Sequence, residues 1–209
     1  MDSVIDAHTH AYADEVRRDP VAWGKSRKEH HWLDLVAPAD KPSLQGWVSQ
    51  EEMITSMREA EVDRSVLLGW YWEHLATCQE QNRWYEEWIR INPDSFAAFA
   101  SIHPTYGTEA LDEIKWCFDH GFKGIGEVHL GVQGVSMKDE SWLRIVEYAC
   151  EKKMPINFHV SEVIGRPHAG NSPTPYEDFL WLATEYPELK IILAHWGGLL
   201  PCFELNPYI

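Results

Sequence analysis

This sequence has few cysteines, few basic residues and no long apolar run, and each shortage excludes a class of protein. Its four cysteines are widely spaced and form no Cys-x-x-Cys pair, a pattern that indicates reduced intracellular thiols rather than a disulfide framework or a structural zinc site. The 18 basic residues are outnumbered by 33 acidic ones, and the net charge of −15 argues against nucleic acid or an anionic membrane as a partner. No apolar run approaches the length of a membrane span and no charged-then-apolar leader opens the chain, so we expect a cytoplasmic protein.

What the chain does contain is an alternation of strand and helix patterns over residues 1–209, which we interpret as one domain. With 44% hydrophobic and 24% charged residues, the composition is that of a globular protein with a sizeable core. Apolar β runs are predicted at 4–10, 64–69, 96–102, 122–129, 155–160 and 188–195. Helices are predicted from Ser49 onward, over 75–91, 108–120 and 139–153, and after Pro175. This order is typical of an α/β fold with a parallel sheet.

The stretch 11–48 lacks a clear period, and we predict a long loop with at most one short helix. Its histidines, His30 and His31, are expected at the surface. Two helix starts carry the capping-box pattern, Ser49 with Glu52 and Thr174 with Glu177.

Polar side chains collect where the predicted strands end. His8 and His10 lie two residues apart and therefore point to the same face of the first strand, with Asp6 deeper on that face. The later strand ends carry His103, Glu127, His129, His159 and His195. In a (β/α) barrel the carboxyl ends of all strands meet at one rim. Buried imidazoles and a carboxylate crowded there require a compensating cation, and imidazole suits zinc and other divalent metals.

These motifs together resemble the amidohydrolase superfamily of metal-dependent TIM-type barrels. The resemblance extends over essentially the whole chain. The sequence looks most like the group that contains small-molecule hydrolases and non-oxidative decarboxylases. At Gly126-Glu127 it also resembles the TatD-type deoxyribonucleases. It rests on Ile5-Asp6-Ala7-His8-Thr9-His10, Gly121-Phe122-Lys123-Gly124-Ile125-Gly126-Glu127, Ile156-Asn157-Phe158-His159 and Ile192-Leu193-Ala194-His195-Trp196-Gly197-Gly198.

The resemblance implies a role for each strand-end residue. His8, His10 and His159 would be metal ligands, and Glu127 would be a bridging carboxylate with a catalytic part. His195 would be catalytic, as a ligand of a second metal or as a substrate contact. Three further roles are expected: His129 in contact with substrate or as a hydrogen-bonded rim residue, His103 as a structural residue, and Asp6 as a buried group that orients the histidines. The cofactor would be one or two divalent ions, zinc first, with manganese or iron as alternatives.

One family feature is missing. A carboxylate from an eighth strand normally takes the proton of the metal-activated water, and this sequence ends at Ile209, shortly after the sixth strand. We therefore expect a barrel truncated after its sixth strand. The sequence is then a fragment, a chain completed by a partner, or a degenerate member that catalyses nothing. An open sheet edge needs a cover, for which a homo-oligomer is the expectation.

The predicted function is water activation on a divalent metal to cleave an amide, ester or lactone of a small molecule. A non-oxidative decarboxylase of the same family is the second hypothesis, and a non-catalytic metal-binding or assembly protein is the third. Glu127 favours hydrolysis because it suits a two-metal site. A phosphodiester substrate is disfavoured, since no Lys/Arg cluster lies at the proposed rim.

Overall fold

Six parallel strands form the centre of the molecule. In a computed structural model that describes residues 3–38, 40, 42–43, 45–161 and 174–204, each strand pairs only with its neighbours in sequence, in the order β1 to β6. The strands are β1 (Ile5–Thr9), β2 (Arg64–Leu67), β3 (Phe96–Ala100), β4 (Gly124–Val128), β5 (Ile156–Phe158) and β6 (Ile191–Leu193). All six lie where the sequence predicts them, and each is shorter than predicted.

The sheet curls as part of a barrel. The rings of His8, on β1, and His195, after β6, lie 5.4 Å apart although these strands are the two edges of the described sheet. The structure is therefore a partial α/β TIM-type barrel of six strands, as expected from the sequence. Two of its inner strands, β4 and β5, are buried throughout, which is the pattern of parallel strands covered by helices.

Helices connect the strands and supply the outer layer. They are α1 (Asp14–Arg18), α2 (Pro20–Arg27), α3 (His30–Leu35), α4 (Gln50–Glu59), α5 (Leu75–Ile91), α6 (Thr108–Asp119), α7 (Glu140–Lys152), α8 (Tyr176–Glu185), the single distorted turn α9 (Ala194–Gly197) and α10 (Leu200–Glu204). The capping box of α4 is present, with reciprocal hydrogen bonds between Ser49 and Glu52. The one predicted for α8 is wrong: Pro175 occupies the cap position, and no side chain caps that end.

The prediction of a loop over 11–48 is also wrong. Three short helices, α1 to α3, fold over the carboxyl end of β2 and bury an aromatic cluster that includes Tyr12, Trp23, Trp32 and Trp72. The indole of Trp32 donates to the hydroxyl of Tyr12 at 3.1 Å. Because this cluster is assembled from contacts across many residues, the local sequence shows little helical periodicity.

The two edges of the described sheet differ from its interior. Ile5 on β1 and Ile192 on β6 are exposed. A homo-oligomer that covers these edges stays a prediction. Within the described ranges, no helix combines the length and apolar character that a membrane crossing requires.

Candidate metal centre

A single buried carboxylate, Glu127, lies at the centre of the strand-end cluster. It occupies the fourth position of β4 and is 2% exposed. Each of its oxygens is near two histidines. Oε2 lies 3.3 Å from His10 Nε2 and 3.8 Å from His8 Nε2, while Oε1 lies 3.0 Å from His159 Nδ1 and 3.6 Å from His195 Nε2. Residues from four strand ends are therefore brought together.

The backbone before Glu127 permits this placement only because residue 126 is glycine. Gly126 has φ +123°, a region that L side chains rarely adopt, and a Cβ there would lie 2.3 Å from the Asn157 carbonyl oxygen. The Glu127 N–H donates to the Gly69 carbonyl at 2.6 Å, and Gly69 N–H donates to the Gly126 carbonyl at 2.7 Å. These bonds hold the end of β4 against the chain that follows β2.

Backbone carbonyls orient two of the histidines. His10 Nδ1 lies 3.1 Å from the Leu68 carbonyl, and His195 Nδ1 lies 3.3 Å from the Val160 carbonyl. Because a carbonyl only accepts, the ring proton sits on Nδ1 in both rings. The Nε2 atoms, directed at Glu127, then either carry a second proton or offer a lone pair to a cation.

Burial favours the unprotonated form of two of these histidines, His8 and His195. It lowers the pKa of His8 to about 4, against the opposing effect of the Glu127 carboxylate, and it also lowers the pKa of His195. Burial alone would raise the pKa of Glu127, but hydrogen bonds from His10 and His159 and the charge of those rings hold it well below its ordinary value. The cluster thus places an ionised carboxylate among imidazoles, two of which, His8 and His195, favour the neutral form.

This donor set fits a divalent metal. The ligand atoms of His8, His10 and Glu127 all lie within 4.8 Å of one another, and so do those of Glu127, His159 and His195. The two groups share Glu127, whose oxygens face one histidine pair each. Neutral imidazole and carboxylate are the ligands that zinc accepts, and unprotonated nitrogens directed at a carboxylate oxygen repel it unless a cation lies between them.

His129 lies beside this cluster and belongs to neither group of donors. Its ring stacks on that of His159, with centroids 4.9 Å apart, and is 1% exposed. Both ring nitrogens lack a hydrogen-bond partner within the described structure. The phenol of Tyr71, whose ring is 5.1 Å from both His129 and His159, also has no partner there.

The expectation for Asp6 is wrong, and that for His31 holds only in part. Asp6 is exposed, because β1 is an edge strand of the described sheet, and its carboxylate accepts from the His8 backbone N–H at 3.2 Å rather than from an imidazole. His31 is half-buried rather than fully exposed: its ring, 5.7 Å from Tyr71, has both nitrogens buried and unpartnered within the described structure. His30 is exposed as expected.

His103 has the structural surroundings that were predicted. It is buried outside both donor groups, and its Nδ1 lies 2.9 Å from the Thr105 hydroxyl. Tyr71 and its neighbour Trp70, whose ring lies 5.3 Å from His10, were not predicted from the sequence. The aromatic triplet directly after β2, Trp70-Tyr71-Trp72, was a signal that could have identified them.

Comparisons with known proteins agree with this architecture. A family model described as amidohydrolase matches residues 5–204. The chain is similar to a 5-carboxyvanillate decarboxylase from Novosphingobium aromaticivorans, solved with manganese and 4-hydroxy-3-methoxy-5-nitrobenzoic acid, with 18% identity and a TM-score of 0.73 over 97% of this chain and 68% of that one. It is also similar to 4-oxalomesaconate hydratase from Rhodopseudomonas palustris, with 20% identity and a TM-score of 0.66 over 96% of this chain and 65% of that one. A third similar structure is 2,6-dihydroxybenzoate decarboxylase from Rhizobium, with 18% identity and a TM-score of 0.64 over 97% of this chain and 69% of that one. At such identities the likeness shows the fold alone.

Proposed function

The chain belongs to the amidohydrolase family, and on that premise we propose that it is a metal-dependent hydrolase that cleaves an amide, ester or lactone of a small molecule. One observation carries the proposal: the buried Glu127 carboxylate has a pair of histidines at each oxygen. That arrangement supports two metal positions with Glu127 between them, which suits hydrolysis.

The four histidines and Glu127 would have different roles at the metal centre. His8 and His10 would hold one ion, His159 would hold the other, with His195 as a further ligand or as a substrate contact, and Glu127 belongs to both groups of donors. A divalent metal bound there, zinc first, with manganese or iron as alternatives, would supply Lewis-acid activation of water and of a substrate carbonyl. His195 has the most exposed side chain of the four, at 44%, so it is the histidine best placed to contact substrate in the alternative in which it is not a ligand.

The buried neighbours of this centre receive a separate role. His129 and Tyr71 have polar atoms that nothing in the described structure satisfies, directly beside His159. Buried polar groups without partners are costly and are retained mainly where function requires them. We assign His129 to substrate contact on this ground.

A decarboxylase of a planar acid is the second candidate. The rings of Trp70 and Tyr71 stack 4.4 Å apart next to His10 and His159, which provides an aromatic surface for a flat substrate. Two of the similar structures are decarboxylases of aromatic acids. A mononuclear centre would suit this reaction, since it does not need Glu127 as a bridge.

Metal content tests the proposal. The purified chain is equilibrated with zinc or manganese, desalted and analysed for metal per chain. We expect one or two ions in the wild type, and loss of metal with retention of the fold in His8→Ala and His159→Ala. His120→Ala, at an exposed histidine of the outer surface, is the matched control and should keep full occupancy.

The number of ions and the product then separate the candidates. Two ions per chain with hydrolysis of a panel of amides, esters and lactones supports the first candidate; one ion with release of carbon dioxide from aromatic acids supports the second. In either case His195→Ala should reduce turnover more than metal content. A wild-type chain that takes up no zinc, manganese or iron refutes both enzyme proposals and leaves the non-catalytic alternative.

A further inference from the structure

Helix α5 buries two polar side chains one turn apart, Gln81 and Tyr85. They are 0% and 1% exposed. Polar groups at such positions need hydrogen-bond partners. Here the partners include two backbone segments that carry the candidate metal centre, the chain after β1 and the chain after β2.

The orientation of the Gln81 amide is determined by its oxygen. Oε1 accepts from the Trp70 backbone N–H and from the Trp72 indole, both at 2.7 Å. The NH2 group therefore points the other way, and Nε2 donates to the Tyr85 hydroxyl at 3.1 Å.

The direction of the Tyr85 hydroxyl proton is determined in the same way, by the groups that donate to the hydroxyl oxygen. Its oxygen accepts from Gln81 Nε2 and, at 3.3 Å, from the Ala11 backbone N–H. Its single proton is then available to a carbonyl, and the Leu68 carbonyl at 2.9 Å is closer than that of Ala11 at 3.2 Å. One phenol thus joins the residue directly after His10 to the carbonyl that receives the His10 Nδ1 proton at 3.1 Å.

We propose that Tyr85, oriented by Gln81, is a positioning residue for His10: it holds the Leu68 carbonyl and the His10–Ala11 backbone so that Nδ1 stays protonated and Nε2 faces Glu127. The consequence for metal affinity rests on the proposed function, in which His10 is a ligand. The effect on the imidazole itself does not, because every bond in this chain of contacts joins two protein groups. Partners that orient a ligating histidine typically change metal affinity by roughly 10- to 100-fold when removed.

The first test uses the metal-free full chain. With 15N-labelled histidine at pH 8, the wild type should show a protonated Nδ1 for His10, because that nitrogen donates to the Leu68 carbonyl. In Tyr85→Phe the Nδ1 signal should move toward that of an unprotonated nitrogen, because the carbonyl that accepts its proton is no longer held in place. Tyr148→Phe removes a hydroxyl from α7 on the outer layer and should leave this signal unchanged. An unchanged His10 Nδ1 signal in Tyr85→Phe would overturn the proposal.

The second test is a double-mutant cycle read by zinc competition with a chromophoric chelator. In an otherwise wild-type chain, Tyr85→Phe should raise the zinc Kd about tenfold, within the range for residues that orient a ligating histidine. In the His10→Ala background, it should raise the Kd by less than about twofold. An equal rise in both backgrounds would mean that Tyr85 acts on the fold as a whole and would contradict the positioning role. If the wild type takes up no zinc, the proposed function fails, and the histidine spectra alone decide the role of Tyr85.

Discussion

Replacing His129 by phenylalanine should make the protein more stable, although the residue is buried at the candidate active site. The ring is 1% exposed, and neither nitrogen has a hydrogen-bond partner within the described structure. Burial lowers the pKa of His129 to about 3, so the neutral ring brings one unsatisfied donor and one unsatisfied acceptor into the interior. Phenylalanine keeps the stacking on His159 and removes both polar atoms.

The expected gain in the free energy of unfolding follows from the two unpartnered ring nitrogens of His129. A buried polar group without a partner costs about 1–3 kcal/mol. Because the larger phenylalanine introduces some crowding, we expect a net gain of about 1–3 kcal/mol rather than twice that range. For a domain of this size, 1 kcal/mol shifts Tm by about 2–4 °C, so the expected rise is roughly 2–12 °C. Metal uptake should persist, since His129 belongs to neither donor group, whereas turnover should fall.

Urea denaturation of the metal-free chain measures this change directly. The matched control is His120→Phe: His120 is exposed, its Nδ1 lies 2.7 Å from the Trp116 carbonyl, and its ring stacks on Trp116. That variant should gain no stability. A loss of stability in His129→Phe would refute the reasoning and would show that the His129 nitrogens have partners in solution, such as ordered water.

Two further substitutions test the stabilising contacts of the fold. Gln81→Leu leaves two buried donors without an acceptor, the Trp70 N–H and the Trp72 indole. At about 1–3 kcal/mol for each donor, urea denaturation should show that the free energy of unfolding falls by about 2–6 kcal/mol. A fall of less than about 1 kcal/mol would contradict this hydrogen-bond network. Ser49→Ala removes the observed cap of α4 and should cost about 1 kcal/mol, while Ser56→Ala, on the exposed face of the same helix, should change stability little; equal effects would argue against the cap.

Local patterns were sufficient for most of the fold. The alternation of strands and helices identified a parallel α/β architecture because each element has its own hydrophobic period. The spacing of His8 and His10 was informative for a similar reason: residues two apart on a strand share a face, whatever the rest of the chain does. The strand-end positions of Glu127, His159 and His195 then implied one rim, since parallel strands align their carboxyl ends.

The errors came from residues whose surroundings are formed by distant parts of the chain. Asp6 has the parity of a buried residue, but its strand lies at an edge of the described sheet. His31 looked like a surface residue in a polar stretch, and only the packing of α3 over Tyr71 buries its two ring nitrogens. No local period could show either outcome.

The buried residues Gln81 and Tyr85 on α5 could be identified only in part from the sequence. Gln81 and Tyr85 occupy the stripe of α5 that also buries Leu75 and Cys78, so a polar residue on an apolar helix face was visible in the sequence. Their partners, the backbone around Leu68 and Ala11, were not visible.

The amino-acid sequence by itself determined the six strands, the helices α4 to α8 and the side chains that lie at the strand ends, because those properties depend on neighbours within a few residues. Only the tertiary structure decided that four histidines surround one carboxylate, and that a phenol on an outer helix reaches the backbone beside one of them. Such contacts join residues far apart in the chain, and they form only when the sheet curls and the helices pack against it.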